Sequence, residues 1–342
     1  MNKMKKIQLW LAAASMMMVA AACSSEANEP AQPTQEQASV EFTVNLDGIE
    51  SRANGDGTTA DQLIFAVFDS EGNELAALRQ NDVAITGREA TVKTSVARGQ
   101  NYTFVFWAQK KVGENLTDNG FYNTTNLKDV VVNYNGEAND ERRDAFCAVV
   151  ADYATQPITG PIEKEVTLRR PFAQIDFVCD LDEWKKLHSS NYKLIGSDLN
   201  VTAGAFTHLN LLTGEASQPT TEAFTLQLPQ YWKKHNKDTY DFCGFITSKV
   251  GTDQYQDLFA TESGDNFWLS MNYVLASPDV TVLDHAQMNI YTFGLLEKPV
   301  KVPVDKLPIQ RNHRTVVHVS NITTLVEVAF EIDPSTGGDI NY

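Results

Sequence analysis

The sequence contains few cysteines and none of the short motifs that carry common enzyme chemistry. Four cysteines occur in 342 residues, and no two of them form a CxxC pair. The HExxH, GxSxG and glycine-rich phosphate-binding patterns are absent. His313 and His318 lie five positions apart, which in a strand places them on opposite faces and too far apart to share a metal. We therefore expect a protein that is not an enzyme and that uses no cofactor or metal.

Basic residues and long apolar runs are also scarce. The chain has 28 Lys and Arg against 44 Asp and Glu, a formal net charge of −16 at pH 7. Such an acidic surface repels nucleic acid, so no nucleic-acid partner is expected. After residue 22, no segment approaches the run of about 20 apolar residues that spans a bilayer. The rest of the chain is therefore expected to lie outside the membrane.

Residues 1–22 are typical of a secretory signal peptide. Lys3, Lys5 and Lys6 precede a largely apolar stretch that ends in small residues directly before Cys23. A thiol at the cleavage point can receive a diacylglyceryl group, so Cys23 is predicted to be the lipidated first residue of the mature chain. The alternative is an ordinary signal peptide with a chance cysteine. Each buried CH₂ of an acyl chain contributes about 0.8 kcal/mol, so two or three chains would hold the protein on a membrane.

Residues 23–38 lack large apolar side chains and are rich in prolines and acids, which predicts a flexible linker. Beyond it, Val40, Phe42, Val44 and Leu46 alternate with polar residues, the pattern of a half-buried strand. Similar strand candidates recur along the chain, and the one convincing helix is predicted at 182–187. The pattern predicts an all-β protein of two tandem β-sandwich domains, transthyretin-like or immunoglobulin-like, at 39–189 and 190–342.

Three further features have two interpretations each. The three remaining cysteines, Cys147, Cys179 and Cys243, sit in apolar runs and are interpreted as buried thiols, with a Cys147–Cys179 disulfide as the alternative. The 54–57 segment (Asn-Gly-Asp-Gly) is interpreted as a turn rather than a Ca²⁺ loop. The aromatic pairs at 231–232 and 267–268 fit core packing, or the exposed platform of a carbohydrate-binding module.

Four segments in order resemble the fimbrillins, the lipoprotein-precursor pilins of Bacteroidales and related bacteria. The first is the strand from Val40 to Leu46 with the Ser-Arg-Ala-Asn-Gly-Asp-Gly stretch at 51–57. The second is the apolar run at 63–68 ending in Asp69, and the third is Arg-Pro-Phe-Ala-Gln-Ile at 170–175. The fourth is Gln-Arg-Asn-His-Arg-Thr at 310–315, followed by a last alternating strand. Together these segments span the mature chain.

The fimbrillin resemblance implies a mechanism of processing. In that family an arginine-specific protease cuts after an arginine that follows the first strand, which frees the subunit from its lipid and removes that strand. Arg52 stands at the matching position and Ala53 would become the new N-terminus. The strand removed would carry Val40, Phe42, Val44 and Leu46. The alternative for Arg52 is a solvated turn arginine that no protease cuts.

Removal of this strand would leave an open apolar groove in the sandwich. A strand from another subunit is expected to refill that groove by β-strand addition. Val326, Val328, Phe330 and Ile332 alternate near the C-terminus and form the proposed donor strand; the alternative is simply the last strand of the second domain. The expected function is a fimbrial subunit of structural and adhesive role at the outer membrane and cell surface, with other pilus subunits and a ligand on host or bacterial surfaces as partners. The alternatives are a lipid-retained anchor or accessory subunit, and a monomeric surface carbohydrate-binding lipoprotein.

Overall fold

A computed structural model describes most of the chain from Glu36 onward. The described residues are 36–46, 57–134, 138, 140–180, 193–220, 223–227, 232–234, 240–242, 266–284, 286–293, 300–304, 306–321 and 327–333. Within these ranges the chain is built from β-strands and three short 3-10 helices at Ala76–Leu78, Glu141–Arg143 and Asp152–Ala154. No described helix has the length and hydropathy needed to cross a membrane.

The strands are numbered in chain order. In the first part of the chain they are β1 Gln37–Leu46, β2 Gln62–Asp69, β3 Gln80–Ala84, β4 Glu89–Ala97, β5 Tyr102–Gln109, β6 Tyr122–Asn123, β7 Val130–Val132, β8 Phe146–Val150 and β9 Ile162–Leu168. The next are β10 Phe172–Asp180, β11 Lys193–Val201, β12 Phe206–Leu209, β13 Ala216–Pro219, β14 Phe224–Gln227, β15 Trp232–Lys234 and β16 Tyr240–Phe242. The last are β17 Asn266–Leu275, β18 Thr281–Leu283, β19 Ala286–Phe293, β20 Val300–Val304, β21 Leu307–Ile309, β22 Arg314–Ser320 and β23 Glu327–Asp333.

The first sandwich contains two sheets with a shared apolar core. One sheet has the order β4-β1-β9 and the other the order β3-β2-β5-β8. Their facing side chains form one buried cluster that runs from Ala38 in β1 to Leu168 in β9. Alternation in β1 and β4 follows from this arrangement, because only one face of their sheet is covered by the core.

β2 and β5 differ from β1 because both of their faces are buried. Leu63, Phe65 and Val67 point into the core of the first sandwich, whereas Ile64 and Ala66 belong to a second buried cluster. A strand buried on both faces has no polar positions to alternate with. The continuous apolar run from Leu63 to Phe68 is the sequence signature of this position.

The second cluster is the core of the remaining sheets. Two four-stranded sheets, β17-β10-β22-β23 and β14-β11-β19-β20, supply about half of its side chains. A further sheet, β13-β12-β7-β6, joins strands from both parts of the chain, and β15-β16 and β18-β21 form two-stranded sheets. The predicted all-β, β-sandwich fold class is confirmed.

β10 pairs with β17 and β22, so it belongs to a sheet of the second part of the chain. The predicted domain boundary at 189/190 stays a prediction. β1 begins at Gln37, and Ala38 is fully buried. The predicted helix at 182–187 lies outside the described residues.

Candidate functional site

β1, the strand predicted to be displaced, is the central strand of its sheet. It pairs with β4 in antiparallel register from Gln37 opposite Ala97 to Asn45 opposite Glu89. On its other side it pairs with β9 in parallel register from Val40 to Leu46. Its backbone N–H and C=O groups are therefore shared between two neighbours. Removing β1 would leave facing edges of β4 and β9 without their partner.

The inward face of β1 is completely covered. Ala38, Val40, Phe42, Val44 and Leu46 are between 0% and 6% exposed. These side chains continue the alternation of the strand, so the period-two pattern in the sequence corresponds to one buried face. The prediction that Val40, Phe42, Val44 and Leu46 share a buried face therefore agrees with the structure; their displacement stays a prediction.

Phe42 occupies an aromatic pocket in the middle of this face. Its ring centroid lies 5.0 Å from that of Phe104 and 5.2 Å from that of Phe106, both in edge-to-face geometry. Phe65 completes the pocket at 6.2 Å. All four rings are fully buried. Edge-to-face pairs add to the free energy of burying the ring, so Phe42 is the strongest single anchor of β1.

The outward face of β1 is polar and exposed. Lys93 of β4 donates a hydrogen bond from Nζ to Oε2 of Glu41 over 2.9 Å, and both side chains are largely solvated. At the start of the strand, Arg98 N donates to Glu36 O, and the two side chains form an ion pair of 3.1 Å. Such exposed pairs contribute little to stability. The inward face therefore holds β1 in place.

The predicted processing site lies in the connection between two sheets. Arg52 and Ala53, and likewise Cys23, are outside the described residues. Leu46 ends β1 in the β4-β1-β9 sheet, and Gln62 begins β2 in the opposite sheet. β1 and β2 share no strand pairing. A cut after Arg52 would therefore leave β1 held to the rest of the chain by non-covalent contacts alone.

β23, the strand predicted to be the donor, lies at an edge of its sheet. It pairs with β22 in antiparallel register from Glu327 opposite Ser320 to Asp333 opposite Arg314, and among the described strands β22 is its one neighbour. Val328 and Ile332 are half-buried and Phe330 is 41% exposed. Val326 lies outside the described residues. Within one copy, β23 is thus the last strand of the second sandwich, with its apolar face partly open.

The two other motifs of the fimbrillin resemblance meet where the sandwiches join. β10 and β22 pair in parallel, with Gln174 opposite Arg314. Just before β22, Asn312 N donates to Phe172 O of β10 over 2.9 Å, and His313 O accepts from Gln174 N over 3.0 Å. Asn312 adopts the left-handed conformation with φ of 56°, which asparagine tolerates better than most residues. The motifs at 170–175 and 310–315 therefore form one structural unit.

A buried ion pair at this junction was not found from the sequence. Arg170 binds Asp144 through two hydrogen bonds, 2.6 Å from Nε and 2.7 Å from Nη2, with both side chains at most 4% exposed. The Arg170 guanidinium also lies 4.7 Å from the centroid of the Phe146 ring. The sequence signal is a pair of arginines before Pro-Phe, and the carboxylate that Arg170 binds lies 26 positions earlier. Removing either partner would leave a buried charge without its counter-charge, so we interpret this pair as part of the fold at the junction.

Tyr134 forms a second link between the two parts of the chain. Its hydroxyl donates to Phe206 O over 2.7 Å and accepts from Leu275 N over 2.9 Å. Burial raises the pKa of Tyr134 above its usual value, so the phenol stays protonated at neutral pH. A protonated phenol can donate and accept at once, so Tyr134 keeps its hydrogen bonds to Phe206 O and Leu275 N at neutral pH.

The other candidate sites are less informative. Cys147 is fully buried in β8, which agrees with its interpretation as a core thiol. Trp232, Phe267 and Trp268 lie in β15 and β17, with side chains outside the described residues, as are Tyr231 and Cys243. Among the described residues no group of three or more His, Cys, Asp or Glu side chains could hold a metal ion.

The architecture defines an all-β protein of stacked sheets whose first strand completes a sandwich. The chain belongs to a family described as a family of unknown function (DUF6562), whose model matches residues 32–342. No curated protein sequence matches it.

Solved structures with a similar fold include two fimbrial proteins. One is the tip fimbrial protein Mfa3 from Porphyromonas gingivalis, with a TM-score of 0.47 and 14% identity, covering 87% of this chain and 99% of that one. Another is a fimbrial assembly protein from Parabacteroides distasonis, with a TM-score of 0.41 and 9% identity, covering 87% of this chain and 100% of that one.

Proposed function

We propose that this protein is a subunit of a cell-surface fimbrium and that it polymerises by exchanging β1 for a strand of another copy. The observation that carries the proposal is the position of β1. It is the first described strand, it lies between two neighbours, and its connection to β2 contains Arg52. One cut in that connection would make a central strand replaceable.

The energetics of β1 favour exchange over simple loss. Burying one large apolar side chain contributes about 1.5–3 kcal/mol. The inward face of β1 buries five apolar residues, so its contribution is on the order of 10 kcal/mol, comparable to the whole free energy of unfolding of a domain. An emptied groove would therefore be strongly unfavourable. A replacing strand must restore both the backbone ladders and the buried apolar face.

The proposed donor has the required pattern. β23 presents Val328, Phe330 and Ile332 on one face, and its present position at a sheet edge uses one of its two ladder sides. The groove belongs to the start of the chain and the donor to its end. Donation is then head-to-tail, which does not close on itself and builds a filament.

Lipidation at Cys23 fits the same route. A lipid on Cys23 would hold the exported chain at the outer membrane until a cut after Arg52 separates β1 from the rest. Residues from Ala53 onward would then leave the anchor and enter the filament. The proposed role is structural and adhesive, with no catalytic step.

A lipid-held anchor or accessory subunit is the second candidate. The uncut chain already forms a complete first sandwich, because β1 fills its own groove. A copy that escapes cleavage could accept no donor strand but could still donate β23. It would end a filament at the membrane.

The N-terminal residue of the protein recovered from sheared cell surfaces tests these proposals. The native chain is compared with Arg52→Ala and with Arg88→Ala, a control that removes a half-buried arginine from the turn between β3 and β4. We expect native and Arg88→Ala protein to start at Ala53 and to form filaments, and Arg52→Ala to keep its acylated Cys23 and form none.

Two other results would change the assignment. If acylated Cys23 is the N-terminus of the native protein as well, the shaft-subunit proposal is wrong and the anchor role remains. If the native protein is a lipidated monomer that is retained on glycans, the carbohydrate-binding alternative replaces both.

A further inference from the structure

The sequences of β1 and β23 limit how β23 can align in the groove that β1 would leave. Both alternate one apolar and one other residue, so a donor strand can sit in the groove in several registers two positions apart. Each register places a different donor side chain in the pocket of Phe42. The chemistry of that pocket therefore determines the alignment.

We propose that β23 of a second copy enters the β1 groove with Phe330 in the aromatic pocket that Phe42 vacates. This inference rests on the proposed function and adds the register and direction of the strand. Val328 then takes the place of Val40, and Ile332 that of Val44. The occupant is a segment of this same chain, so the interface joins two identical copies.

The aromatic pocket favours this register over its neighbour. Phe104, Phe106 and Phe65 surround a space shaped by one phenyl ring, and all three are fully buried. Shifting β23 by two positions would place Val328 there in one direction and Ile332 in the other. Neither branched side chain fills a space shaped by a phenyl ring, and interiors tolerate poor filling badly. Phe330 is the one aromatic residue of β23, and 41% of it is exposed in its own sheet, so transfer buries new apolar surface.

The exposed charges of the groove favour a register shifted by two positions, but they do so more weakly than the pocket favours the proposed one. Lys93 pairs with Glu41 in β1. The register with Val328 in the pocket would place Glu327 opposite Lys93, whereas the proposed register places Ala329 there. Both side chains of the existing pair are more than two-fifths exposed, at 69% and 42%. An exposed ion pair contributes less than a buried aromatic ring, so the pocket decides.

The ladders of the groove favour the direction of β1. β4 offers an antiparallel ladder opposite Gln37–Asn45, and β9 a shorter parallel ladder opposite Val40–Leu46. A donor in the reverse direction would make the longer ladder parallel and the shorter one antiparallel. Parallel pairing is slightly less stable per residue, so the donor keeps the direction of β1.

Cysteine pairs on the outward face test the register without disturbing the pocket. In the proposed register, Ala329 takes the place of Glu41 opposite Lys93, and Glu331 takes that of Thr43 opposite Thr91. Pairs two positions apart in an antiparallel ladder are equivalent, so both sites have the same geometry. The full-length variants K93C/A329C and T91C/E331C are produced in cells, and sheared surface protein is analysed on non-reducing gels against the wild type.

Both variants are expected to give ladders of disulfide-linked copies, and each ladder should disappear when Arg52→Ala is added. The matched variant K93C/E327C, which reports the shifted register, should give no ladder beyond the wild-type background. E41C/K93C is the control for geometry: it should form a disulfide within one chain, keep β1 in place and prevent assembly.

Each contrary result has its own meaning. A ladder from K93C/E327C in place of K93C/A329C, or from only one of the two expected variants, would overturn the register or direction while filaments persist. Filaments that form with no cross-link in any variant would overturn the proposed register and show that another strand, or β23 in a further register, fills the groove. Absence of filaments from the wild type would instead refute the proposed function itself.

Discussion

β1 and β23 have nearly the same sequence pattern but different positions in the structure. β1 has a neighbour on each side, and its apolar face is at most 6% exposed. β23 has one neighbour, and Phe330 on its apolar face is 41% exposed. Alternation shows that one face of a strand is apolar, but the number of neighbours and the depth of burial depend on the sheet around it. The more deeply buried strand is the one proposed to leave, which is why its exchange needs both a cut and a replacement.

The largest expected difference between the two strands is in their aromatic residues. Phe42→Ala should lower the free energy of unfolding by about 3–5 kcal/mol, because it empties a fully enclosed pocket. Phe330→Ala should lower it by about 1–2 kcal/mol, because much of that ring is already in water. Urea unfolding of the two full-length variants measures both values, with unchanged m-values as the control. Equal losses would mean that the two faces are equally buried.

A smaller difference is expected when a methyl group is replaced by a hydroxyl of the same shape. Val40→Thr places a hydroxyl on the covered face of β1 and should cost about 1–3 kcal/mol. Val328→Thr places it on the half-buried face of β23, where water can reach it, and should cost less than about 1 kcal/mol. The same unfolding experiment compares them. A larger loss at Val328 would contradict the description of β23 as an open edge.

The smallest effect is expected on the outward face of β1. Lys93→Gln removes the partner of Glu41 and should change the free energy of unfolding by about 0.2–1 kcal/mol, less at high salt. Thermal or urea unfolding at two salt concentrations measures the change, and Lys128→Gln, another exposed lysine, is the control. A loss as large as that of Phe42→Ala would mean that the outward face, too, holds β1 in place.

The sequence predicted the strand character of the chain but not which strands pair. Alternation located β1, and the continuous run at 63–68 is explained by a strand buried on both faces. The sequence did not show which strands pair with β10, because its partners β17 and β22 lie far along the chain. Such pairings depend on long-range packing rather than on local pattern.

The sequence predicted part of the candidate site and missed the contacts made between strands. The four alternating residues of β1 were identified from their spacing, but the pocket around Phe42 was not, because Phe65, Phe104 and Phe106 come from two other strands. The Arg170–Asp144 pair was missed because nothing near Arg170 in sequence indicates a buried carboxylate. Cys23 and Arg52 remain predictions from the sequence.

The sequence by itself determined that this protein is built from β-strands and which residues of β1 and β23 share an apolar face, because a strand alternates its side chains with a fixed period of two. Only the tertiary structure decided which strand is central and which lies at an edge, because neighbours in a sheet come from distant parts of the chain. The pocket of Phe42, the junction of the two sandwiches and the open face of Phe330 all follow from that long-range pairing.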